Sequence, residues 1–175
     1  MQALKAQIEN LNVEKSTFTV NSKNFEQVYV GAIAAVNEGT IWNCYVLNSS
    51  IIVAETSDLL NKHLSAYAGG ISGFSVGDIN YCKLDASKIV ASLVRDYGNE
   101  GDGKNSTDVY AGGIAAAIAE TGTVTSCYVN SSTQISASAT ATCSDSFSTR
   151  HPYITVRAAG IVASFSDIAK IDNVW

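Results

Sequence analysis

Four stretches of this chain are copies of one another: VYVGAIAAVNEGTIWNCYV (28–46), AYAGGISGFSVGDINYCKL (66–84), VYAGGIAAAIAETGTVTSCYV (109–129) and VRAAGIVASFSDIAKIDNVW (156–175). A partial copy, AQIENLNVEKSTFTV (6–20), precedes them. Such a repeat constrains the fold more than any local propensity, because every copy must fold alike and bury its apolar face against its neighbours.

Two ladders of equivalent positions set the register. In the second half of each copy, Ile8, Ile41, Ile79, Val124 and Ile171 are equivalent. They are followed three residues later by Leu11, Cys44, Cys82, Cys127 and Val174, then by Val13, Val46, Leu84 and Val129. Phe18, Ile51 and Ile89 follow seven beyond the Cys position, with Ile135 one place late. In the first half, Gly31, Gly69 and Gly112 align, with Gly70, Gly113 and Gly160 one place on, ahead of Ile33, Ile71, Ile114 and Ile161. Spacings at the Cys position are 33, 38, 45 and 47 residues, so a nearly constant motif carries one growing insert. The inserts run roughly 21–27, 55–65, 92–108 and 138–155, and map to one edge of a solenoid.

The apolar runs (TFTV, IIVA, KIVA, QISA, ITV) are short, β-branched and alternating, which predicts strands. Gly39, Gly77 and Gly122 precede the Ile strands, where a positive-φ turn favours glycine. Each repeat therefore reads as three short strands and a variable loop. The predicted fold is all-β, a parallel and right-handed β-solenoid of four to five rungs with loop inserts at one edge. One rung per repeat is the first reading and two rungs the second. Rungs about 4.8 Å apart make a stub about 19 Å long. Ile41 and Cys44 both face inward only if a bend separates them. Asn10, Asn43 and Asn173 hold that place, with Tyr81 and Ser126 in the other copies. A corner of left-handed residues with a partial Asn ladder is one expectation, a β-bulge the other.

The chain's 175 residues make one repeat domain. Repeats run to both ends without a polar cap, which suggests a segment of a longer repeat protein or ends that dock on neighbours. Hydrophobic residues make up 46% and charged residues 15%, and the net charge is −5 with no basic cluster, which argues against nucleic acid. No apolar run is long enough for a transmembrane helix.

The pattern Gly-Gly-Ile-x-Gly followed by Gly-x-Ile-x-x-Cys-x-Val is best seen in GGISGFSVGDINYCKL (69–84), with close copies at 112–129 and 31–46. It resembles the GLUG-motif repeats of large surface proteins. The resemblance covers most of the chain outside the inserts. It implies a β-solenoid segment of an adhesin-like cell-surface protein, sometimes joined to an enzyme domain elsewhere, and carries no catalytic residues. The last copy departs from the pattern: Arg157-Ala158-Ala159-Gly160 replaces Tyr-Ala-Gly-Gly, and FSDIAK (165–170) lacks the glycine that precedes the Ile strand.

Candidate chemistry is sparse. Leu and Val share the repeat position of Cys44, Cys82 and Cys127, which marks a small apolar core slot for inert thiols, although stacked disulfides satisfy the distance. Cys143, outside the register, is a partner for another chain or a buried loop residue. No metal or cofactor is expected, since there is no CxxC pair and His63 and His151 both lie in inserts. The segment 95–108 lacks the ligand pattern of a calcium loop and reads as a surface loop. The acids Asp78, Asp85, Asp96, Asp145 and Asp167 share no register, and both histidines sit in inserts, so neither a paired-carboxylate site nor a Ser/His/Asp set is expected.

Tyr29, Tyr67 and Tyr110 form an outward row that reads as cross-rung packing rather than a ligand platform, and Trp42, Tyr45 and Tyr128 are further exposed aromatics. Sequons at Asn48, Asn105 and Asn130 are possible glycosylation sites. The functional expectation is a non-catalytic extracellular or cell-surface module that presents its insert edge to a protein or glycan on another surface. The alternative is a filament or sheath block that stacks on copies of itself, and a glycan-active β-helix enzyme is a distant third.

Overall fold

The computed structural model describes residues 6–59, 62–96, 106–142 and 153–175. Rung one comprises β1 (Gln7–Glu9), β2 (Asn12–Glu14), β3 (Thr17–Lys23), β4 (Gln27–Gly31) and β5 (Ala34–Asn37). Rung two comprises β6 (Thr40–Trp42), β7 (Tyr45–Leu47), β8 (Ser50–Ser57), β9 (His63–Gly69) and β10 (Ser72–Ser75). Rung three comprises β11 (Asp78–Asn80), β12 (Lys83–Asp85), β13 (Lys88–Asp96), β14 (Ser106–Gly112) and β15 (Ala115–Ile118). Rung four comprises β16 (Thr123–Thr125), β17 (Tyr128–Val129), β18 (Gln134–Thr142), β19 (Tyr153–Ala159) and β20 (Val162–Phe165), and β21 (Lys170–Asp172) begins a fifth.

Equivalent strands pair in parallel and form five sheets, one per face: β1-β6-β11-β16-β21, then β2-β7-β12-β17, β3-β8-β13-β18, β4-β9-β14-β19 and β5-β10-β15-β20. The fold is an all-β parallel solenoid with one rung per repeat. Register follows the sequence ladders: Ile8, Ile41, Ile79, Val124 and Ile171 lie opposite one another, as do Val13, Val46, Leu84 and Val129. The divergent last copy keeps the register, with Arg157 opposite Tyr110 and Ala159 opposite Gly112.

Each rung has five strands rather than three, because single left-handed residues turn the chain at corners, each shifting the inward alternation by one place. The first corner is left-handed in every copy: Asn10, Asn43, Tyr81, Ser126 and Asn173 have φ of 56°, 50°, 56°, 54° and 49°. Asn43 Nδ2 donates to Asn10 Oδ1 at 2.6 Å, so the Asn ladder forms where two Asn are adjacent. A second left-handed corner falls at Lys15, Asn48 and Ala86. It is fastened by a serine ladder: Ser16 N donates to Ser49 Oγ (3.2 Å) and Ser49 N to Ser87 Oγ (3.1 Å). In rung four a turn replaces this corner, with Thr133 N bonded to Asn130 O at 2.9 Å, and its extra residue is what delays Ile135.

The glycines before the Ile strands are there for a different reason than expected. None has positive φ; a Cβ on Gly77 would lie 2.0 Å from Gly39 O in the rung below. Likewise a Cβ on Gly70 would meet Gly113 O at 2.1 Å. At Gly39, Gly70 and Gly77 close approach between rungs, not turn conformation, excludes a side chain, whereas at Gly122 the nearest atom is Ile118 Cγ2, at 2.8 Å.

The described parts of the inserts are strand rather than loop. β8, β13 and β18 run deep into them, and β9, β14 and β19 return from them, so the third and fourth sheets extend into a two-layered blade. In β13 the inward residues Ile89, Ala91, Leu93 and Arg95 are all buried. The main core runs through all four rungs, and includes Ile41, Val46, Ile79, Leu84, Val124 and the three thiols.

Candidate ligand-binding groove

The bend at the first corner aims two side-chain rows outward. One row is the corner itself, Asn10, Asn43, Tyr81 and Ser126; the other is the outer face of the second sheet, Asn12, Tyr45, Lys83 and Tyr128. Of the intervening residues, Cys44, Cys82 and Cys127 are buried, whereas Leu11, in the end rung, is exposed. An open groove of about 580 Å³ lies between the rows, lined by Asn10, Asn12, Asn43, Cys44, Tyr45, Tyr81, Lys83, Asp85 and Tyr128. Its side chains are held in place. Tyr45 Oη donates to Asp85 Oδ2 (3.3 Å), and Asp85 Oδ1 accepts from Ser132 Oγ (3.3 Å). Desolvation and the Asp85 carboxylate raise the Tyr45 phenol above its ordinary range. Tyr81, 48% exposed, leans on Trp42, 40% exposed, with ring centroids 4.4 Å apart and planes at 57°.

The strand backbone beneath the groove is already paired. Tyr45 N donates to Leu11 O, Lys83 N to Cys44 O and Tyr128 N to Cys82 O, each at 2.9–3.0 Å. Recognition here falls to side chains: aromatic faces, amides, one ammonium and one carboxylate.

A second aromatic row, on the fourth sheet, contrasts with it. Tyr29 and Tyr67 stack at 4.8 Å and 19°, Tyr67 and Tyr110 at 5.2 Å and 26°, and the Arg157 guanidinium lies 6.0 Å from the Tyr110 ring centre. These rings cover Ala116 and Ala163, and Phe74 abuts Tyr29 and Tyr67. Burial is the first cause that raises all three phenols. The faces are turned on one another, so the row packs the sheet as the sequence suggested.

Farther out on that sheet, His63, Ser65, Ser106 and Asp108 come together. His63 Nε2 lies 3.3 Å from Asp108 Oδ2 and 3.0 Å from Ser65 Oγ, and its Nδ1 bonds Ser106 Oγ. This corrects the expectation that an insert histidine stays apart from Ser and Asp: the insert is strand there, and pairing sets His63 opposite Ser106 and Ser65 opposite Asp108. The set lies on an outward strand face where Ser65 N already donates to Glu26 O at 2.8 Å.

Cys44, Cys82 and Cys127 are free, buried thiols. Burial pushes the Cys44 thiol up; a hydrogen bond with Cys127, together with burial, pushes Cys82 up. Of the sequons, Asn48 is exposed at the second corner and Asn130 is half-buried, its Oδ1 accepting from Ser132 N at 3.0 Å. Asn105, Cys143, Asp145 and His151 lie outside the described residues. Among the described residues, no group of three His, Cys, Asp or Glu side chains is placed to hold a metal ion. No described helix is long and apolar enough to cross a membrane.

Two buried charges in the blade were not anticipated. Arg95 donates from Nη1 to Lys62 O (3.1 Å) and Ser106 O (3.0 Å) and from Nη2 to Leu59 O (2.7 Å). Glu55 accepts from Phe25 N (3.0 Å) and from Ser22 Oγ. Each ties its own rung to the rung before it, Arg95 to Leu59 and Lys62 and Glu55 to Ser22 and Phe25. Their even spacing from Ile89 and Ile51 was the available signal. Comparison with family models, curated proteins and solved structures returns no match.

Proposed function

We propose that this β-solenoid is a non-catalytic binding module of an adhesin-like, extracellular surface protein. The observation that carries the reading is the division of each rung into a constant part and a lengthening part. The first corner and the short strands hold one register through all four rungs, while the insert lengthens from copy to copy. A rigid scaffold with variable segments along one edge is the arrangement in which loops commonly carry recognition. The resemblance to GLUG repeats belongs to the same reading.

The test is adhesion. Beads coated with the chain are applied to surfaces bearing mucin, fibronectin or cell-wall polysaccharide, alongside a variant whose 97–105 and 143–152 segments are replaced by short Gly-Ser linkers. Adhesion to at least one surface, competed by soluble chain and reduced by the replacement, is expected. Absence of adhesion to all three contradicts the reading.

A second reading, self-stacking into a filament, draws on exposed apolar side chains at both end rungs: Leu11 and Val20 at one, Phe165, Ile168 and Trp175 at the other. Sedimentation velocity at rising concentration tests it, with assembly supporting it and a concentration-independent monomer opposing it.

A further inference from the structure

We propose that the groove along the first corner binds a neutral oligosaccharide laid parallel to the solenoid axis. The proposal rests on the reading of this chain as a binding module and names a site and a ligand class for it.

The groove has the chemistry of sugar recognition. Tyr45, Tyr81 and Tyr128 supply aromatic faces for the C–H faces of pyranose rings, and the phenols keep polar tips for hydroxyls. Asn10, Asn12 and Asn43 supply paired amide donors and acceptors, and Asp85 and Lys83 add one acceptor and one donor of opposite charge. That balance favours an uncharged ligand: a polyanion calls for a basic lining, and one Lys beside one Asp does not provide it.

Spacing argues for a chain rather than a single sugar. The lining residues recur once per rung, from Asn12 through Tyr45 and Lys83 to Tyr128, and rungs lie about 4.8 Å apart, close to the length of one pyranose unit. The volume of about 580 Å³ falls inside the range of about 300–1,000 Å³ usual for small-ligand sites. A peptide docked as an added strand is disfavoured, since the backbone groups under the groove are already bonded between rungs. The Tyr29–Tyr67–Tyr110 row serves as an internal contrast, because its central ring, Tyr67, is stacked on both faces.

The experiment is an amide NMR titration of the whole chain with three probes: hexasaccharides of β-1,4-glucose, β-1,4-N-acetylglucosamine and α-1,6-mannose. Shifts confined to residues around 10–12, 43–45, 81–85 and 128 are expected with at least one probe. Tyr45→Ala and Tyr81→Gly should each weaken binding at least tenfold, and Tyr67→Ala should leave it unchanged. Glycine suits the φ of 56° at position 81, so Tyr81→Gly removes the ring without burdening the fold. The proposal is overturned if none of the probes shifts these residues, or if both groove variants bind as the unaltered chain does. Bead adhesion that survives both groove substitutions overturns the groove and leaves the module reading standing. Groove-centred sugar binding without bead adhesion does the reverse.

Discussion

The two halves of each rung hold together by different physics. The corner half, made of the first, second and fifth sheets, uses strands of two to four residues, too short to be stable alone, and stabilises them by stacking identical side chains on a continuous core. The blade half uses strands of up to nine residues whose ladders are long, and its narrow end is closed by buried charges rather than by apolar volume. The comparison teaches where length can be added. Between strands the corner half takes up extra residues without losing register, one at the second corner of rung four and two before β16 and before β21, whereas inside the paired blade strands only an even number preserves the alternation.

The comparison is broken most forcefully from the corner side. Ile79→Ala empties a fully buried position shared by five strands, and should cost about 3–4 kcal/mol, read as a lower urea midpoint. A loss under about 1 kcal/mol would mean the corner core is not what holds the rungs. On the blade side, Arg95→Ala strips partners from the Leu59, Lys62 and Ser106 carbonyls, and should cost about 3 kcal/mol with Arg95→Met recovering little of it. Full recovery by Met would show that the side chain matters for volume, and the two halves would then share one physics. Tyr67→Ala, which opens the aromatic row at its centre, should cost about 1–2 kcal/mol.

A pH series sharpens the contrast further. Tyr29, Tyr67 and Tyr110 have phenols raised above 10.0, and the Cys44 thiol is raised above 9.0, while the hydrogen-bonded pair of Cys82, raised, and Cys127, lowered, pulls in both directions. The unfolded chain therefore releases the phenol and Cys44 protons first. Stability from these groups is full below about pH 9 and declines as pH rises through 9 and 10, a slope visible in urea midpoints. A midpoint that rises there has the wrong sign for buried neutral thiols and phenols. The smallest effect is expected at the corner surface: Tyr81→Gly trades a modest stacking contact for a relaxed left-handed residue, and stability should stay within about 1 kcal/mol.

Much of the corner half was legible in the sequence. The Ile and Cys ladders gave the register because core slots accept only a narrow set of shapes, and Asn at positions 10, 43 and 173 marked a left-handed corner because Asn tolerates that conformation. The second corner was hidden: Lys15 and Ala86 are not residues that signal positive φ, and stacking imposes it on them. The blade was masked by composition. Ser, Thr and Asp on its outer face resemble a loop, although Ile89, Ala91, Leu93 and Arg95 alternate as a strand. The meeting of His63 with Ser106 and Asp108 followed from the same oversight, because only strand pairing sets residues 43 and 45 positions apart side by side. The aromatics of the groove were visible one by one. Their convergence needed the corner angle, which no spacing within a single copy reveals.

In-register parallel stacking, one rung per repeat, is the claim on which the ladders, the groove and the blade all depend. Nitrogen-edited NOE spectroscopy reads it directly through amide contacts between strands. The account predicts cross-peaks linking the β6 segment around Ile41 to the β11 segment around Ile79, and the latter to the β16 segment around Val124, with no hairpin pattern at the corners. Antiparallel cross-peaks between β6 and β7, or contacts offset by half a repeat, would contradict it.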